Sequence, residues 1–289
     1  MSFKIATDTS SNLTYDLVKK FDIELLPITY IVDGEEFLGE CTKDSSNLKQ
    51  VYEKLRNKAN ILTSCINEHS AMERLEPIVK AGNDLLYVSL SSTFSLSAEN
   101  VKKAIAKLKE KYPERKMFFV DTLNGSFGEG IVAVKAAELR ENGKTIEEVY
   151  ETLEKVKFNA CTIFTVDSFN WLKKSGRVSP ALCLIGNTLN LKPLLKVDSS
   201  CKVVSIGKKI GRKPSLNALA EALAKNIDPK EQTVYIAHGD CEEDLDFVKS
   251  KIKEFAPQVN NFVINYMEYV IGSHTGPGVM ALFYYGKGR

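Results

Sequence analysis

Apolar strand-like runs alternate with amphipathic helical stretches through the first half of the chain. The apolar segment 3–7 precedes a helical pattern over 12–21, and the apolar run 85–90 precedes a helical pattern over 101–108. Runs that are apolar at every position, here 85–90 and 117–120, are typical of strands buried on both faces of a parallel sheet. The alternation therefore predicts a doubly wound, mostly parallel α/β domain.

The second half of the chain shows a different pattern. The apolar segments 193–197 and 202–206 flank the turn sequence Asp198-Ser-Ser-Cys, which predicts a hairpin and antiparallel pairing. We therefore predict an N-terminal α/β domain over residues 1–158 and a C-terminal α/β domain with a mixed or antiparallel sheet over 159–289.

Composition and charge narrow the function classes. The chain has 289 residues, 44% hydrophobic and 26% charged, and 39 Lys and Arg against 37 Asp and Glu leave a net charge of +2. This balance gives no electrostatic reason to bind nucleic acid or an anionic membrane, and no apolar run is long enough to span a bilayer. The six cysteines form no CxxC pair, and the chain opens without an apolar leader. We expect free thiols, no metal, nucleotide or redox cofactor, and a cytoplasmic location.

The densest polar signal directly follows the apolar run 85–90. Five hydroxyl residues fall within seven positions, with no Lys, Arg or Gly among them: Ser91, Ser92, Thr93, Ser95 and Ser97. Ligands of open α/β sheets bind outside the carboxyl ends of the strands, where helix N-termini present free N–H groups. Phosphate loops use glycines and a Lys, so uncharged donors suit a carboxylate better. A helix cap with solvated neighbours is the alternative interpretation.

A second hydroxyl pair, Thr63-Ser64, lies at a similar corner. It follows the apolar pair 61–62 and precedes a helical pattern that begins near Asn67. Adjacent loops at one edge of a sheet converge, so Thr63 is a candidate contact for the same ligand. The alternative is that Ser64 or Asn67 only caps the helix.

The third signal is His274, within Gly272-Ser-His274-Thr-Gly-Pro-Gly278. Glycines on both sides let the backbone approach a ligand closely, and the imidazole can donate a hydrogen bond to an anion. A turn with an exposed His is the alternative. We interpret His69, on a predicted helix, and His238, at the end of a predicted strand, as structural.

Arg177 is the fourth candidate, in the segment Trp171-Leu-Lys-Lys-Ser-Gly176-Arg177-Val-Ser-Pro180. A guanidinium group is suited to oxyanions and to partner surfaces, and the Gly on one side and the Ser-Pro helix start beyond resemble an exposed recognition loop. A solvated basic loop with Trp171 packed beneath it explains the segment equally well.

A serine-hydrolase interpretation also has to be considered. Asn124-Gly-Ser126-Phe-Gly128 follows a predicted strand and opens a helix, like a GxSxG elbow with Asn in place of the first Gly. Ser126, Asp240 and His274 fall in the chain order of hydrolase triads. No HGGG-type oxyanion segment precedes them, and a Ser/Gly helix start explains the same residues.

The sequence resembles the DegV family, whose members include the fatty-acid-binding subunits of bacterial fatty acid kinase. The resemblance covers nearly the whole chain, and its motifs occur in order. They are Ala6-Thr-Asp8-Thr-Ser-Ser-Asn-Leu13, Thr63-Ser64, Ser91-Ser92-Thr-Phe-Ser95-Leu-Ser97-Ala98, Val120-Asp121-Thr, Leu172-Lys-Lys-Ser-Gly176-Arg177-Val-Ser179, Leu189-Asn-Leu-Lys192-Pro193, His238-Gly-Asp240 and Gly272-Ser-His274-Thr-Gly-Pro-Gly278.

The resemblance implies a two-domain fold with a fatty acid between the domains. Its carboxylate would be held by Thr63, Ser92 and His274, with neighbouring hydroxyls such as Ser91 and Ser95 in support. The partner implied is an ATP-dependent fatty acid kinase, which phosphorylates the carboxylate to an acyl phosphate, and the loop arginine that engages it corresponds to Arg177. The binding protein itself performs no chemistry.

Two departures from the family pattern bear on the ligand site. The usual Thr-Ser-Gln-Pro reads Thr63-Ser-Cys65-Ile66 here, and Leu96 stands in the hydroxyl loop where a Gly is common. The bulk of Leu96 is expected to shorten or redirect the acyl tunnel. The remaining alternatives are a serine hydrolase or esterase using Ser126, and a regulatory scaffold that binds no lipid.

Overall fold

The computed structural model describes residues 3–179, 182 and 190–289 of the chain. Pro180, Cys183 and Leu189, which entered the sequence analysis, lie outside the described residues. The chain groups into two units, one formed by Met1–Lys43 with Leu62–Lys157 and the other by Asp44–Ile61 with Phe158–Arg289. We call them the first and the second unit.

The elements up to residue 156 are β1 (Phe3–Asp8), α1 (Tyr15–Lys20), β2 (Ile23–Leu26), β3 (Thr29–Val32), β4 (Glu35–Leu38), α2 (Ser46–Arg56), β5 (Ile61–Thr63), α3 (Glu68–Lys80), β6 (Asp84–Ser89), α4 (Ser97–Lys111), β7 (Met117–Asp121), α5 (Phe127–Glu141) and α6 (Ile146–Val156). The elements that follow are β8 (Ala160–Thr165), α7 (Phe169–Ser175), β9 (Leu191–Val197), β10 (Val203–Ile210), α8 (Arg212–Asn226), β11 (Thr233–His238), α9 (Leu245–Phe255), β12 (Asn261–Tyr266), α10 (Tyr269–Thr275) and β13 (Met280–Tyr285).

The first unit contains a parallel sheet with the strand order β2-β1-β6-β7. Every residue of the interior strand β6 is buried, as its continuous apolar run predicts. The edge strand β7 is buried in part on both faces: Met117 and Val120, on opposite faces, are buried, whereas Phe118 and Phe119 are half-buried. In a parallel sheet the strand ends share one edge, and the register pairs Ser89 with Asp121 there.

A smaller three-stranded sheet has the order β4-β3-β5. Its hairpin turns at Asp33-Gly34, where both residues have positive φ (51° and 93°), as a tight turn of the Asp-Gly type requires.

The second unit contains a mixed six-stranded sheet with the order β10-β9-β8-β13-β11-β12. Only the β11–β12 pair is parallel, and the hairpin of β9 and β10 is antiparallel as predicted. Its apolar core joins this sheet to α8 and α9, with Leu219, Leu223, Val248 and Ile252 fully buried. The mixed α/β class predicted from the sequence is confirmed.

No helix in the described part of the chain is both long and apolar enough to cross a membrane. The cysteines that can be described, at positions 41, 65, 161, 201 and 241, are all free.

Candidate functional site

The candidate site of the first unit lies at the carboxyl ends of β6 and β7. Ser92 follows β6 and Asp121 ends β7, and the Ser92 hydroxyl donates a hydrogen bond to Oδ2 of Asp121 over 2.6 Å. The other carboxylate oxygen of Asp121 accepts the N–H of Leu123 at 3.0 Å. The Asp121 carboxylate therefore ties the loop after β6 to the loop after β7.

Several hydroxyls of the loop after β6 bond to one another. The Ser91 and Thr93 hydroxyls lie 2.9 Å apart, and the Thr93 N–H donates to Ser91 Oγ. The Ser95 hydroxyl donates to Ser97 Oγ at 2.9 Å and accepts the Ser97 N–H. Ser91 is fully buried, whereas Ser92 is half-buried. Because these hydroxyls bond to one another, fewer than five of them can donate a hydrogen bond to a ligand.

The loop that follows Thr63 is attached to this hydroxyl loop. Ile66 N–H donates to Ser97 Oγ at 3.0 Å, and the Asn100 side-chain amide donates to the Ile66 carbonyl at 2.9 Å. Asn67 is the N-cap of α3, so Thr63 does not cap this helix. The structure thus joins the loop after Thr63 to the loop that carries Ser91, Ser92 and Ser95. The prediction that both loops belong to one sheet is wrong, since Thr63 ends β5 of the three-stranded sheet. We call Thr63, Ser91, Ser92 and Ser95 the hydroxyl cluster.

The two departures from the family pattern lie in the same loops. Leu96 is 69% exposed, directly before α4. Cys65 is half-buried, and its sulfur accepts a weak hydrogen bond from the Asn100 amide at 3.7 Å.

His274 lies in the last turn of α10 in the second unit, so its segment is helical at this point rather than an open turn. The flanking glycines serve aromatic packing. A Cβ on Gly272 would meet the Tyr52 hydroxyl, and a Cβ on Gly276 would lie 2.1 Å from the Trp171 ring. Burial, with a smaller contribution from the Arg177 charge, lowers the pKa of His274 to about 4. The imidazole is therefore neutral at physiological pH and keeps one N–H donor.

Arg177 is exposed and follows α7, whose last turn is closed by Gly176 with φ 69°. Its N–H donates to Ser175 Oγ and its guanidinium to the Ser175 carbonyl. The helices α7 and α10 pack against each other, which puts Arg177 and His274 in the same part of the second unit.

Ser126 has one feature of an elbow serine and lacks another. Its φ of 55° and ψ of −146° at the start of α5 are strained, but the residue is only 2% exposed, whereas an elbow nucleophile presents its Oγ to solvent. Gly128 makes room for the Asn124 side chain. Asp240 is occupied by an ion pair with Arg56, so it does not orient a histidine as a triad carboxylate does.

Sequence reasoning named Asp121 only within the motif Val120-Asp121-Thr and gave it no role in the site. Its position at the end of a predicted strand, next to the strand that precedes Ser91, was the signal that could have identified it. Among the side chains that the structure describes, no group of three or more His, Cys, Asp or Glu residues is arranged to hold a metal ion.

Comparisons with known proteins agree on one family. The DegV family model, described as an uncharacterised protein of that family, matches residues 2–287. The DegV domain-containing protein CPE0026 of Clostridium perfringens is 37% identical over 285 residues, which cover 98% of this chain and 97% of the relative. The DegV domain-containing protein YteA of Lactococcus lactis is 30% identical over 288 residues, which cover 98% of this chain and 97% of the relative.

Solved structures agree with the fold. A DegV lipid-binding protein from Thermotoga maritima has a TM-score of 0.84 and 25% identity, with both chains covered completely. A DegV family protein from Thermus thermophilus, whose structure is described as showing fatty acid binding, has a TM-score of 0.86 and 24% identity, with 99% of this chain and 100% of the other covered.

Proposed function

The chain belongs to the DegV family, and on this premise we propose that it binds a long-chain fatty acid and holds the carboxyl group at its hydroxyl cluster. The observation that carries the proposal is that the loop after Thr63 is hydrogen-bonded to the loop that carries Ser91, Ser92 and Ser95, which follows β6 at the carboxyl edge of the parallel sheet. The lipid and fatty-acid binding described for the Thermotoga and Thermus proteins supports the same ligand class. The assignment of His274 to the carboxyl group stays a prediction from the sequence.

Tail and head group have different roles in this proposal. Burying a sixteen-carbon chain is worth roughly 12 kcal/mol before any cost, at ~0.8 kcal/mol per CH₂. A hydrogen bond to the head group contributes about 0.5–3 kcal/mol, with the higher values for a charged group. The apolar chain should therefore set the affinity, while the hydroxyl cluster sets the orientation and the selection of an acid over an ester.

The test of fatty-acid binding is native mass spectrometry of freshly purified protein. We expect a non-covalent mass adduct of one fatty acid, which disappears on denaturation and is identified by extraction. Protein that carries no lipid, and that takes up none from a mixture of C14–C18 acids, would contradict the proposal and favour the scaffold interpretation. Labelling of Ser126 by a fluorophosphonate probe would favour the hydrolase instead.

We further propose that the bound acid is a substrate for an ATP-dependent fatty acid kinase, and that Arg177 contacts this partner. The chain would then be a binding protein that performs no chemistry itself. Arg177 is exposed, and its guanidinium can make bidentate contacts that a lysine cannot. These properties suit a recognition residue on a protein surface.

Replacing Arg177 by alanine is expected to reduce acyl phosphate formation at least about tenfold, because a buried interface arginine often contributes that much binding energy. The measurement uses purified bacterial fatty acid kinase, ATP and loaded protein, with the acyl phosphate trapped by hydroxylamine. Lipid content should stay unchanged. Lys174→Ala, which removes another exposed positive charge from the same segment, is the matched control. Equal losses in both variants would show a general charge effect and remove Arg177 from the interface.

A further inference from the structure

The single hydrogen of the Ser92 hydroxyl is already in use. It is donated to Oδ2 of Asp121 over 2.6 Å, and the Ser92 backbone N–H points to the same oxygen at 3.4 Å. A serine hydroxyl has one hydrogen and two lone pairs. While Asp121 accepts the hydrogen, Ser92 offers a ligand only its lone pairs.

Asp121 is held in a position that maintains this arrangement. Its second oxygen accepts the Leu123 N–H at 3.0 Å, and Leu123 has a positive φ of 52°, so the carboxylate spans a tight turn at the end of β7. In the described part of the chain, the side-chain oxygens of Asp121 accept hydrogen bonds from neutral donors of Ser92 and Leu123 and none from a cation.

An ionised ligand carboxylate fits poorly opposite such a serine. Two acceptors would face each other with no hydrogen between them, and the ligand charge would lie close to the charge of Asp121. A neutral carboxylic acid supplies the missing hydrogen. It forms a continuous chain in which the acid O–H donates to Ser92 Oγ and the Ser92 hydroxyl donates to Asp121 Oδ2.

Resting on the proposed function, we propose that Asp121 makes Ser92 a hydrogen-bond acceptor, so that this position selects a head group carrying its own hydrogen, the neutral carboxylic acid rather than the carboxylate. Asp121 is then a positioning residue that acts through Ser92.

The variant Asp121→Asn should turn the Ser92 hydroxyl from a hydrogen-bond acceptor into a hydrogen-bond donor toward the ligand. The Leu123 N–H still needs an acceptor, so the Asn oxygen is expected to stay there and the amide Nδ2 to take the place of Oδ2. The amide then donates to Ser92 Oγ and releases the serine hydrogen for an ionised ligand. We expect palmitate at pH 8 to bind about tenfold more tightly, which is about 1.4 kcal/mol. Hexadecanol, with the same chain and a neutral head, should change by less than about twofold.

The readout is the ratio of palmitate to hexadecanol affinity, which cancels the contribution of the apolar tail. Asp44→Asn is the matched control, since Asp44 also accepts a serine hydroxyl, that of Ser46 at 2.8 Å, but on an exposed turn. Its ratio should equal that of the wild type. In a Ser92→Ala background, the effect of Asp121→Asn should fall to less than half, because the hydroxyl that transmits it is gone.

A second measurement needs no variant. Palmitate labelled with ¹³C at the carboxyl carbon reports its own protonation state, and the signal of the bound acid at pH 8 should have the shift of a neutral acid. A carboxylate signal from bound palmitate, or an unchanged affinity ratio in a folded Asp121→Asn protein, would overturn the inference while leaving fatty-acid binding intact. Wild-type protein that binds neither ligand would instead contradict the proposed function itself.

Discussion

Alanine at Gly276 is expected to lower the free energy of unfolding of the protein by about 3 kcal/mol. Gly276 has a φ of 78°, and a Cβ added there would lie 2.1 Å from Cδ1 and 2.6 Å from Nε1 of Trp171. With a ψ of 173°, this backbone conformation lies in a region essentially reserved for glycine and costs a residue with a Cβ about 1–3 kcal/mol, and forcing a bulky ring out of a packed position adds about 1–3 kcal/mol. Trp171 is the only tryptophan of the chain, so its fluorescence reports directly on the perturbed contact.

Gly211→Ala separates the two causes. Gly211 belongs to the same unit and has a similar backbone conformation, with φ 91° and ψ 156°, but a Cβ there would lie no closer than 3.5 Å to a neighbouring atom. We expect it to cost only about 1–2 kcal/mol, the backbone part alone. Urea unfolding followed by circular dichroism gives both values. Trp171→Ala should remove most of the additional cost of Gly276→Ala in the double variant, and equal costs for the two glycine substitutions would contradict the packing explanation.

The sequence predicted those elements whose signal is local. The hairpin of β9 and β10 follows from two apolar segments that flank the turn sequence Asp198-Ser-Ser-Cys. The continuous apolar run of β6 agrees with its six buried positions, against which the helices α3, α5 and α6 pack. The edge position of β7 depends on which strand is its neighbour, and an apolar run does not encode that.

Two elements of the second unit escaped pattern reasoning for physical reasons. In β8, Ala160–Thr165, the sequence Ala-Cys-Thr-Ile-Phe-Thr shows neither strict alternation nor a continuous run of large apolar residues, although all six positions are buried. In α10, three of seven residues are Gly, Ser or Thr, which are weak helix formers, and the N-cap is the carboxylate of Glu268. Its glycines have packing roles that depend on Tyr52 and Trp171, residues far away in the sequence.

The residue types of the candidate site were predictable, but the direction of its hydrogen bonds was not. Ser91, Ser92 and Ser95 follow the strand as expected, and Ser97 joins their loop to the one after Thr63. The hydrogen of Ser92, however, is directed by Asp121, which lies 29 positions further along the chain. A pattern of hydroxyl residues predicts that a site is polar. Whether one of these hydroxyls donates to the ligand or accepts from it depends on its partner in the neighbouring loop.

Two carboxyl groups of the first unit are completely buried, with 0% exposure. They belong to Asp8, at the end of β1, and to Glu129, in α5. The Ser10 hydroxyl donates to Asp8 and also lies 3.1 Å from a Glu129 oxygen, while Thr7 donates to the other Glu129 oxygen at 2.6 Å. Ser10 has only one hydrogen for two carboxyl groups. This arrangement favours a proton on the pair, and burial raises the pKa of Asp8 to about 6.

The raised pKa of Asp8 should make the protein less stable as the pH rises. A carboxyl group with a pKa near 6 in the folded state and about 3.9 in the unfolded chain binds more protons when folded. Its contribution is therefore fully present below about pH 4 and is lost as the pH passes through about 6. The difference of about two pKa units corresponds to a loss of about 3 kcal/mol in the free energy of unfolding.

Asp8→Asn isolates this effect because asparagine has a similar shape and does not titrate. Urea unfolding at several pH values between about 4 and 7.5 should show the wild type losing about 3 kcal/mol more than the variant across this range. Asp44→Asn is the control, since hydrogen bonds from the Ser46 N–H and hydroxyl lower the pKa of Asp44, and a lowered pKa acts with the opposite sign at lower pH. Parallel pH profiles of wild type and Asp8→Asn would mean that Asp8 is ionised in the folded protein throughout, and that the shared proton does not exist.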